Sequence, residues 1–386
     1  MNHKILHAAL FTLSPEGFWG LPTLLWGPPG IGKTSFVKTA KRYNMEYERL
    51  SPAERGEGQF GVCPVPAADM VLDYPAPRWA KRFDGRAGLV FLDEINTAAP
   101  MLQAPLLGMV QLRTLGTHVF GPRTRIIAAA NETADAAGGW DLAPSLANRF
   151  GHFDFEGLSI SDWTVALLGG FDNIDGVLVD AETEEKRVMA AWPLAIAQAR
   201  GLVAGFIKAR PELLYKKPVK ASNASSRAWP SNRSVEYAVH ALASSRVHNL
   251  SEIDTDTFLA GFVGQGWVGE FATYRAHIDL PDVEQLLDGK ITWKHDERRL
   301  DRTMAVLSSC AALVVPKDAA KRDDRAKALW AIIGEISKDA ADVVMPAARA
   351  MRNASPPLIG TKMGSVKTLA GLLPMFQAAG VISGSS

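Results

Sequence analysis

The chain has 386 residues, enough for two or three domains with sizeable cores. With 47% hydrophobic and 22% charged residues it has a globular composition, and no apolar run approaches the ~20 residues that span a bilayer. The formal charge of +1 gives no sign of whole-molecule attraction to nucleic acid or to a membrane surface, and leaves only a local basic groove open.

Cysteine and histidine usage suggests no metal or redox centre. Cys63 and Cys310 match no such spacing, and the eight histidines show no metal-ligand spacing either. We therefore expect buried free thiols in a reducing compartment, which means a cytoplasmic protein.

Short apolar runs alternate with helical patterns through the first 156 residues. Helices are predicted over 32–42 and 101–115, and a hairpin about 114–124. Strands are predicted at 23–27 (TLLWG), 46–51 (EYERLS), 89–95 (LVFLDEI), 125–131 (RIIAAAN) and 152–156 (HFDFE). This alternation predicts an α/β fold with an open parallel sheet.

The pattern changes after residue 157. Three segments, 188–207, 234–247 and 325–345, have helical character, and no convincing strand lies between them. A polar, Pro/Ser-rich loop is predicted over 211–231. The remainder of the chain is therefore expected to be helical.

Residues 27–34 (GPPGIGKT) satisfy the phosphate-binding pattern G-x-x-x-x-G-K-[ST]. Glycines let backbone N–H groups approach phosphate oxygens, and the helix that follows presents the positive end of its dipole. Lys33 is expected to reach the β- and γ-phosphates, and Thr34 to ligate Mg²⁺. A chance match is the alternative, and the flanking strand and helix argue against it. The predicted ATP-binding residues are Gly27, Pro28, Pro29, Gly30, Ile31, Gly32, Lys33, Thr34, Ser35 and Asp93.

Polar residues at two strand ends complete the predicted site. Asp93 is expected to hold Mg²⁺, and Glu94 to polarise the attacking water. Asn131 is expected to orient that water or contact the γ-phosphate, since ligands bind at the carboxyl ends of parallel strands. Taken alone, each is equally well a strand end that meets solvent or starts a turn.

A P-loop, an Asp-Glu pair and a strand-terminal Asn, in this order, resemble the AAA+ ATPases. Several segments are similar to those of MoxR-type AAA+ proteins: ERGEGQFGVCPVP (their helix-2 insert region), FLDEINTAAPMLQAPLLGMVQLRTLG, IIAAANET, LAPSLANRFGHFDFE and WPSNRSVEYAVHAL (their lid motif). GFVGQGWVGEFATY resembles a MoxR subgroup often encoded beside von Willebrand A-domain proteins. Glu132 and Asn232 stand where the family has Pro, and residues 300–386 match nothing recognisable.

This resemblance implies roles and domain limits. Asn131 would be sensor 1, Arg149 an arginine finger completing a neighbouring subunit's site, and Arg233 the sensor 2 of the lid. The implied domains are an AAA+ core (1–156) with a helix-2 insert about 55–85 and a pre-sensor hairpin about 114–124, a helical lid (157–290) and a helical C-terminal extension (291–386).

The implied function is Mg²⁺-dependent ATP hydrolysis in a homo-oligomeric ring, expected to be a hexamer, that remodels, activates or assembles a protein partner. A von Willebrand A-domain protein is the expected partner, with no membrane involved. Two alternatives stay open: a nucleic-acid-dependent motor, such as a helicase or restriction-type translocase, and a non-catalytic scaffold. Near-neutral charge argues weakly against the motor. The intact set of Lys33, Asp93, Glu94 and Asn131 argues against the scaffold.

Overall fold

A computed structural model of the chain describes residues 1–38, 43–55, 57–61, 63–66, 71–132, 139–157, 159–169, 179–218, 226–278, 280–317, 319 and 321–378. Five predicted features lie partly outside these residues: the end of the helix at 32–42, the helix-2 insert at 56, 62 and 67–70, the loop 211–231 at 219–225, the lid at 158, 170–178, 219–225 and 279, and the C-terminal extension at 318, 320 and 379–386.

The described residues form nine strands. In chain order they are β1 (Thr23–Trp26), β2 (Glu46–Leu50), β3 (Val65–Pro66), β4 (Leu72–Asp73), β5 (Gly88–Leu92), β6 (Thr114–Leu115), β7 (His118–Val119), β8 (Thr124–Ala130) and β9 (Gly151–Asp154). Every residue of β1, β5 and β8 is buried, as continuous apolar runs require in a sheet covered on both faces.

Five of these strands make one parallel sheet in the order β2-β5-β8-β1-β9. The register sets Trp26 beside Ala130 on one side and Asp154 on the other, and Leu92 beside Ala128. The residues that follow β1, β5 and β8 therefore emerge together at the carboxyl edge of the sheet. All five predicted strands are confirmed, except that β5 ends at Leu92, so that the two acids lie just beyond it.

Helices among the described residues are α1 (His3–Leu10), α2 (Lys33–Lys38), α3 (Pro100–Leu112), α4 (Pro144–Ala147), α5 (Ile160–Gly169), α6 (Ala181–Ala209), α7 (Asn232–Val247), α8 (Glu252–Val263), α9 (Gln265–His277), α10 (Val283–Leu287), α11 (Leu300–Val314), α12 (Arg322–Ile336), α13 (Ala341–Asn353) and α14 (Val366–Ala378). No strand follows β9 in the described part of the chain, which confirms the helical remainder. The run 325–345 is not one helix, because α12 ends before α13 begins.

Two small hairpins form outside the five-stranded sheet. The predicted hairpin is confirmed as the antiparallel pair β6–β7, and β3–β4 forms a second one inside the predicted insert. They meet at Gly116, whose φ is +58° and whose Cβ, if present, would lie 2.1 Å from the Tyr74 carbonyl oxygen. Thr117 N–H donates to that same oxygen at 2.9 Å. Only glycine fits position 116.

The chain divides into two compact units. Unit 1 contains Met1–Ala190 and Leu214–Gly269, and its apolar core surrounds the sheet. Unit 2 contains Ala191–Leu213 and Glu270–Ser386, with a core from α10–α14 in which Trp330 is fully buried. These limits differ from the predicted 156 and 290, which were placed from motifs and not from packing.

Two expectations from composition need correction. Cys310 is buried as expected, but Cys63 is exposed.

Helix α6 is long and apolar enough, by length and composition alone, to cross a bilayer, although half of its apolar stretch is buried within the protein. A helix packed into a protein core passes the same test. Pro193 and Arg200 interrupt the apolar residues of α6, so the sequence shows no continuous apolar run of this length.

Candidate nucleotide-binding site

The phosphate-binding loop runs from the end of β1 to the start of α2. A Cβ at Gly27 would lie 2.8 Å from the Phe155 carbonyl oxygen, so the loop can leave the sheet here only as glycine. Gly30 and Gly32 have φ of +78° and +97°, in the region that glycine adopts without a steric penalty. The glycine spacing of the motif is thus fixed by backbone geometry.

Lys33 folds back over this loop. Its ammonium group donates to the carbonyl oxygens of Gly27 and Pro28, at 2.6 and 2.9 Å, and to Asn131 Oδ1 at 2.8 Å. These three acceptors use all three of its N–H donors. Burial lowers the pKa of Lys33, and the charges of Asp93 and Glu94 oppose that shift. A phosphate oxygen that binds this ammonium group must replace at least one of the three acceptors.

Thr34 and Asp93 are placed to share a magnesium ion. Thr34 Oγ1 donates to Asp93 Oδ2 at 3.0 Å. Neighbouring ligands of an octahedral Mg²⁺, with bonds of about 2.1 Å, are separated by about 3 Å, so this pair of oxygens fits the ion. Thr34 and Asp93 would hold the ion, which would supply positive charge to neutralise phosphate oxygens.

Arg49 makes a contact with Asp93 that no sequence motif predicts. Its Nε donates to Asp93 Oδ2 at 2.7 Å, while its two terminal nitrogens bind Glu54 at 2.7 and 2.9 Å. These bonds, with that to Glu54 the larger cause, raise the pKa of Arg49 above its ordinary value. The guanidinium therefore lies on the same carboxylate oxygen that would bind the metal.

Glu94 follows β5 in a left-handed conformation, with φ of +53° and ψ of +45°. A non-glycine residue in this region is uncommon, and such strain concentrates at functional sites. Glu94 is also only partly buried, so its carboxylate has access to water. Both features agree with the predicted role of Glu94 in polarising water.

Asn131 is held by a partner residue that we did not predict. Asn96 Nδ2 donates to the Asn131 carbonyl oxygen at 2.9 Å, and the Asn131 backbone N–H donates to Asn96 Oδ1 at 3.4 Å. Both residues are buried. This pair ties the end of β8 to the turn after β5 and aims the Asn131 amide at Lys33. In the sequence, the only indication of this contact was the Asn of DEIN, which lies two residues after Glu94.

Behind the loop, Trp26 is fixed from both sides. Its Nε1 donates to His152 Nδ1 at 3.0 Å, and His152 Nε2 lies 2.9 Å from the Ala147 carbonyl oxygen. The Arg227 guanidinium stacks 4.1 Å from the Trp26 ring and donates to Glu132 and Asp154. Glu132 therefore holds the cation that covers this tryptophan.

Arg149 and Arg233 lie together in a separate cavity. The cavity measures about 460 Å³ and also contains Asn148, Trp229 and Ser231, whereas the phosphate-binding loop is not among its lining residues. The Ser231 hydroxyl, which caps α7, donates to Asn148 Oδ1 at 2.7 Å. This bond links the segment that carries Arg149 to the helix that carries Arg233.

The electrostatics of this cavity favour an anion. Burial lowers the pKa of Arg149, and the nearby positive charge of Arg233 lowers it further. Arg149 Nε donates to Gln111 at 2.7 Å, and its Nη1 donates to the Ser145 carbonyl oxygen. The structure brings these arginines to each other and not to Lys33, so the predicted roles of finger and sensor 2 stay predictions.

Comparisons with known proteins give limited additional information. No protein-family model matches the chain. A stretch of 79 residues is 34% identical to the replication factor C large subunit of Ignicoccus hospitalis, and it covers 20% of this chain and 15% of that protein. A crystal structure of a proposed ATPase from Cytophaga hutchinsonii aligns over 70% of this chain and 78% of its own, with 15% identity and a TM-score of 0.43.

The strand order and the constellation at the sheet edge decide the fold class. The P-loop follows a central strand, and the acids and the amide follow its neighbours at the same carboxyl edge. The fold is that of an AAA+ ATPase. At this edge Lys33 is hydrogen-bonded to Asn131 and Thr34 to Asp93, with Glu94 adjacent in sequence to Asp93.

Proposed function

We propose that this chain is an ATP-hydrolysing AAA+ protein of the MoxR type, which works as a ring on a protein partner. The observation that carries the proposal is the joining of Lys33 to Asn131 and of Thr34 to Asp93 at one sheet edge. A scaffold that only retained a fold would have no need for this complete set of ammonium, hydroxyl, carboxylate and amide groups.

The chemistry assigned to each group follows from its position. Lys33 exchanges its loop carbonyls for phosphate oxygens and neutralises their charge. Asn131, held by Asn96, remains where it can orient a water molecule or contact the γ-phosphate. Glu94 accepts a hydrogen bond from that water and aligns it for in-line attack on phosphorus.

The cavity with the two arginines supports a site shared between subunits. Two guanidinium groups beside each other are costly to desolvate unless an anion binds them. A triphosphate supplied by an adjacent subunit provides such an anion, and arginines delivered in trans stabilise the charge of the transition state. We propose that both Arg149 and Arg233 act on the neighbour's nucleotide, which changes the role expected for Arg233 from the sequence.

The two hairpins of unit 1 support a protein partner. Val65, Leu72, Tyr74 and Val119 are all exposed on them, with Leu72 60% and Val119 67% accessible. Apolar side chains grouped on exposed hairpins are typical of a surface that contacts protein. The assignment of a von Willebrand A-domain protein as the partner, and of a hexamer as the assembly, rests on the sequence resemblance alone.

Mixing two inactive variants tests the shared site. Lys33→Ala subunits lack nucleotide binding but keep both arginines, and Arg149→Ala subunits keep an intact phosphate loop. In an equal mixture about half of the Arg149→Ala sites gain an intact neighbour, so about a quarter of wild-type turnover per subunit should return. No recovery would contradict a finger acting in trans.

The same mixture made with Arg233→Ala separates the two possible roles of Arg233. Recovery with Lys33→Ala supports its action in trans, and no recovery places it on its own subunit's nucleotide. Turnover measured with a purified A-domain protein and, separately, with single- and double-stranded DNA tests the partner. Stimulation by DNA alone would contradict a MoxR-type function and favour the nucleic-acid motor.

A further inference from the structure

Outside the nucleotide site, one polar cluster in unit 1 combines two imidazoles with a carboxylate. It consists of His7 on α1, Glu184 in the first turn of α6 and His248 at the end of α7. Their ligand atoms all lie within 4.8 Å of one another. His7 Nε2 is 2.9 Å, and His248 Nε2 3.4 Å, from the same oxygen, Glu184 Oε1.

The outer nitrogens of both rings are anchored. His7 Nδ1 lies 2.7 Å from the Tyr43 hydroxyl, and His248 Nδ1 lies 2.9 Å from the Ser244 carbonyl oxygen. A carbonyl can only accept, so the N–H of His248 Nδ1 donates to Ser244, and Nε2 is the nitrogen that remains to bind a cation. That nitrogen is buried and has no hydrogen bond among the described residues.

A buried imidazole nitrogen that faces a carboxylate oxygen without a hydrogen bond is unfavourable unless a cation binds both atoms. Two imidazole nitrogens and one carboxylate oxygen are a ligand set for a borderline divalent ion such as Zn²⁺. In metal sites, the second nitrogen of each ligating histidine usually makes a hydrogen bond with an oxygen. Here the oxygens of Tyr43 and Ser244 make these bonds.

We propose that His7, Glu184 and His248 form a binding site for a divalent cation of the Zn²⁺ class, separate from the Mg²⁺-ATP site. The ion joins α1, α6 and α7, three segments far apart in sequence. The side chains of Glu184 and His248 are about 95% buried, whereas that of His7 is 27% exposed. Solvent therefore reaches the site past His7, and a water molecule completes the tetrahedron there.

Arg187 also contacts Glu184 and sets the expected strength of binding. Its Nη2 donates to Oε1 at 2.6 Å, and its Nε donates to Oε2 at 2.8 Å. The guanidinium orients the carboxylate but competes with the ion for its charge. With three protein ligands and this cation nearby, we expect a dissociation constant on the order of 1 μM, weaker than four-ligand structural zinc sites.

The test uses the full chain, freed of metal with a chelator and without nucleotide. Titration with ZnCl₂ in a calorimeter should give one site per chain, and zinc should raise the melting temperature. His248→Ala should weaken binding by at least about 100-fold, and Tyr43→Phe by about 10-fold. Millimolar Mg²⁺ should not compete, because Mg²⁺ requires oxygen ligands.

His277→Ala is the matched control, because His277 is an exposed helical histidine outside the cluster, and it should bind zinc like the wild type. If His248→Ala fails to fold, His7→Gln at the solvent side gives the same comparison. The proposal is overturned if the wild-type chain binds no stoichiometric zinc up to about 100 μM. It is equally overturned if the cluster variants bind as tightly as His277→Ala.

Discussion

The contact behind the phosphate loop predicts a specific loss of stability in mild acid. Trp26 immediately precedes Gly27, and its indole N–H requires the unprotonated Nδ1 of His152 as its acceptor. His152 is buried, and this burial, strengthened by the charge of Arg227, lowers the pKa of His152 to about 4 from 6.5; the hydrogen bond to Ala147 opposes the shift. Protonation of His152 therefore opposes folding.

The sign and size of the effect follow from the two pKa values. A histidine whose pKa is lowered in the folded state contributes its full stability above pH 6.5, and that contribution is lost as the pH falls towards 4. At about 1.4 kcal/mol per pKa unit the full window is worth about 3 kcal/mol. About 2 kcal/mol of this is already lost at pH 5.

The measurement compares wild type with His152→Gln by urea unfolding at pH 8 and pH 5, followed by circular dichroism. Glutamine keeps one donor and one acceptor but does not titrate, so at pH 8 it should cost about 1–3 kcal/mol for imperfect hydrogen bonds. Between pH 8 and pH 5 the wild type should lose about 2 kcal/mol more than the variant. Equal losses in the two proteins would refute the claim that His152 is neutral and required to be so.

Two further pairs of substitutions test a buried ion pair and the contact of Arg49 with Asp93. Arg125→Leu removes a fully buried guanidinium that donates to Glu185 and to the Leu10 carbonyl oxygen, and it should destabilise the protein by about 3 kcal/mol in urea unfolding. Arg123 also pairs with Glu185, but its side chain is 32% exposed, so Arg123→Leu should cost about 1 kcal/mol or less. Equal losses of stability in the two variants would contradict the argument from burial. Arg49→Gln removes the cation that lies on Asp93 and should lower the Mg²⁺ concentration needed for ATP binding up to about fivefold, as read by a fluorescent nucleotide. Glu54→Gln removes the second carboxylate that pairs with Arg49, so it should raise the Mg²⁺ concentration needed for ATP binding. If both variants shift this concentration in the same direction, Arg49 and the metal do not compete for Asp93.

Sequence reasoning succeeded where the signal was local. The central strands β1, β5 and β8 were predicted from apolar runs, and the phosphate loop from glycines that the backbone requires at Gly27, Gly30 and Gly32. Since parallel strands share a carboxyl edge, the convergence of Lys33 and Asn131 also followed from the order of motifs.

What escaped prediction depends on contacts between distant segments. The bonds of Arg49 to Asp93, of Asn96 to Asn131 and of Ser231 to Asn148 join side chains whose types and spacing carry no motif. The histidines of the proposed zinc site escaped for the same reason, because no local spacing connects α1 with α7. Arg233 was assigned from its motif, and only the fold shows it beside Arg149.

The central claim is that ATP is hydrolysed in the site built around Lys33, with Glu94 polarising the water. Glu94→Gln tests it most directly, since the amide preserves the size of the side chain and removes its basicity. The variant should bind a fluorescent ATP analogue as tightly as the wild type while phosphate release falls by about 100-fold or more. Undiminished phosphate release by Glu94→Gln, with binding intact, would contradict the account.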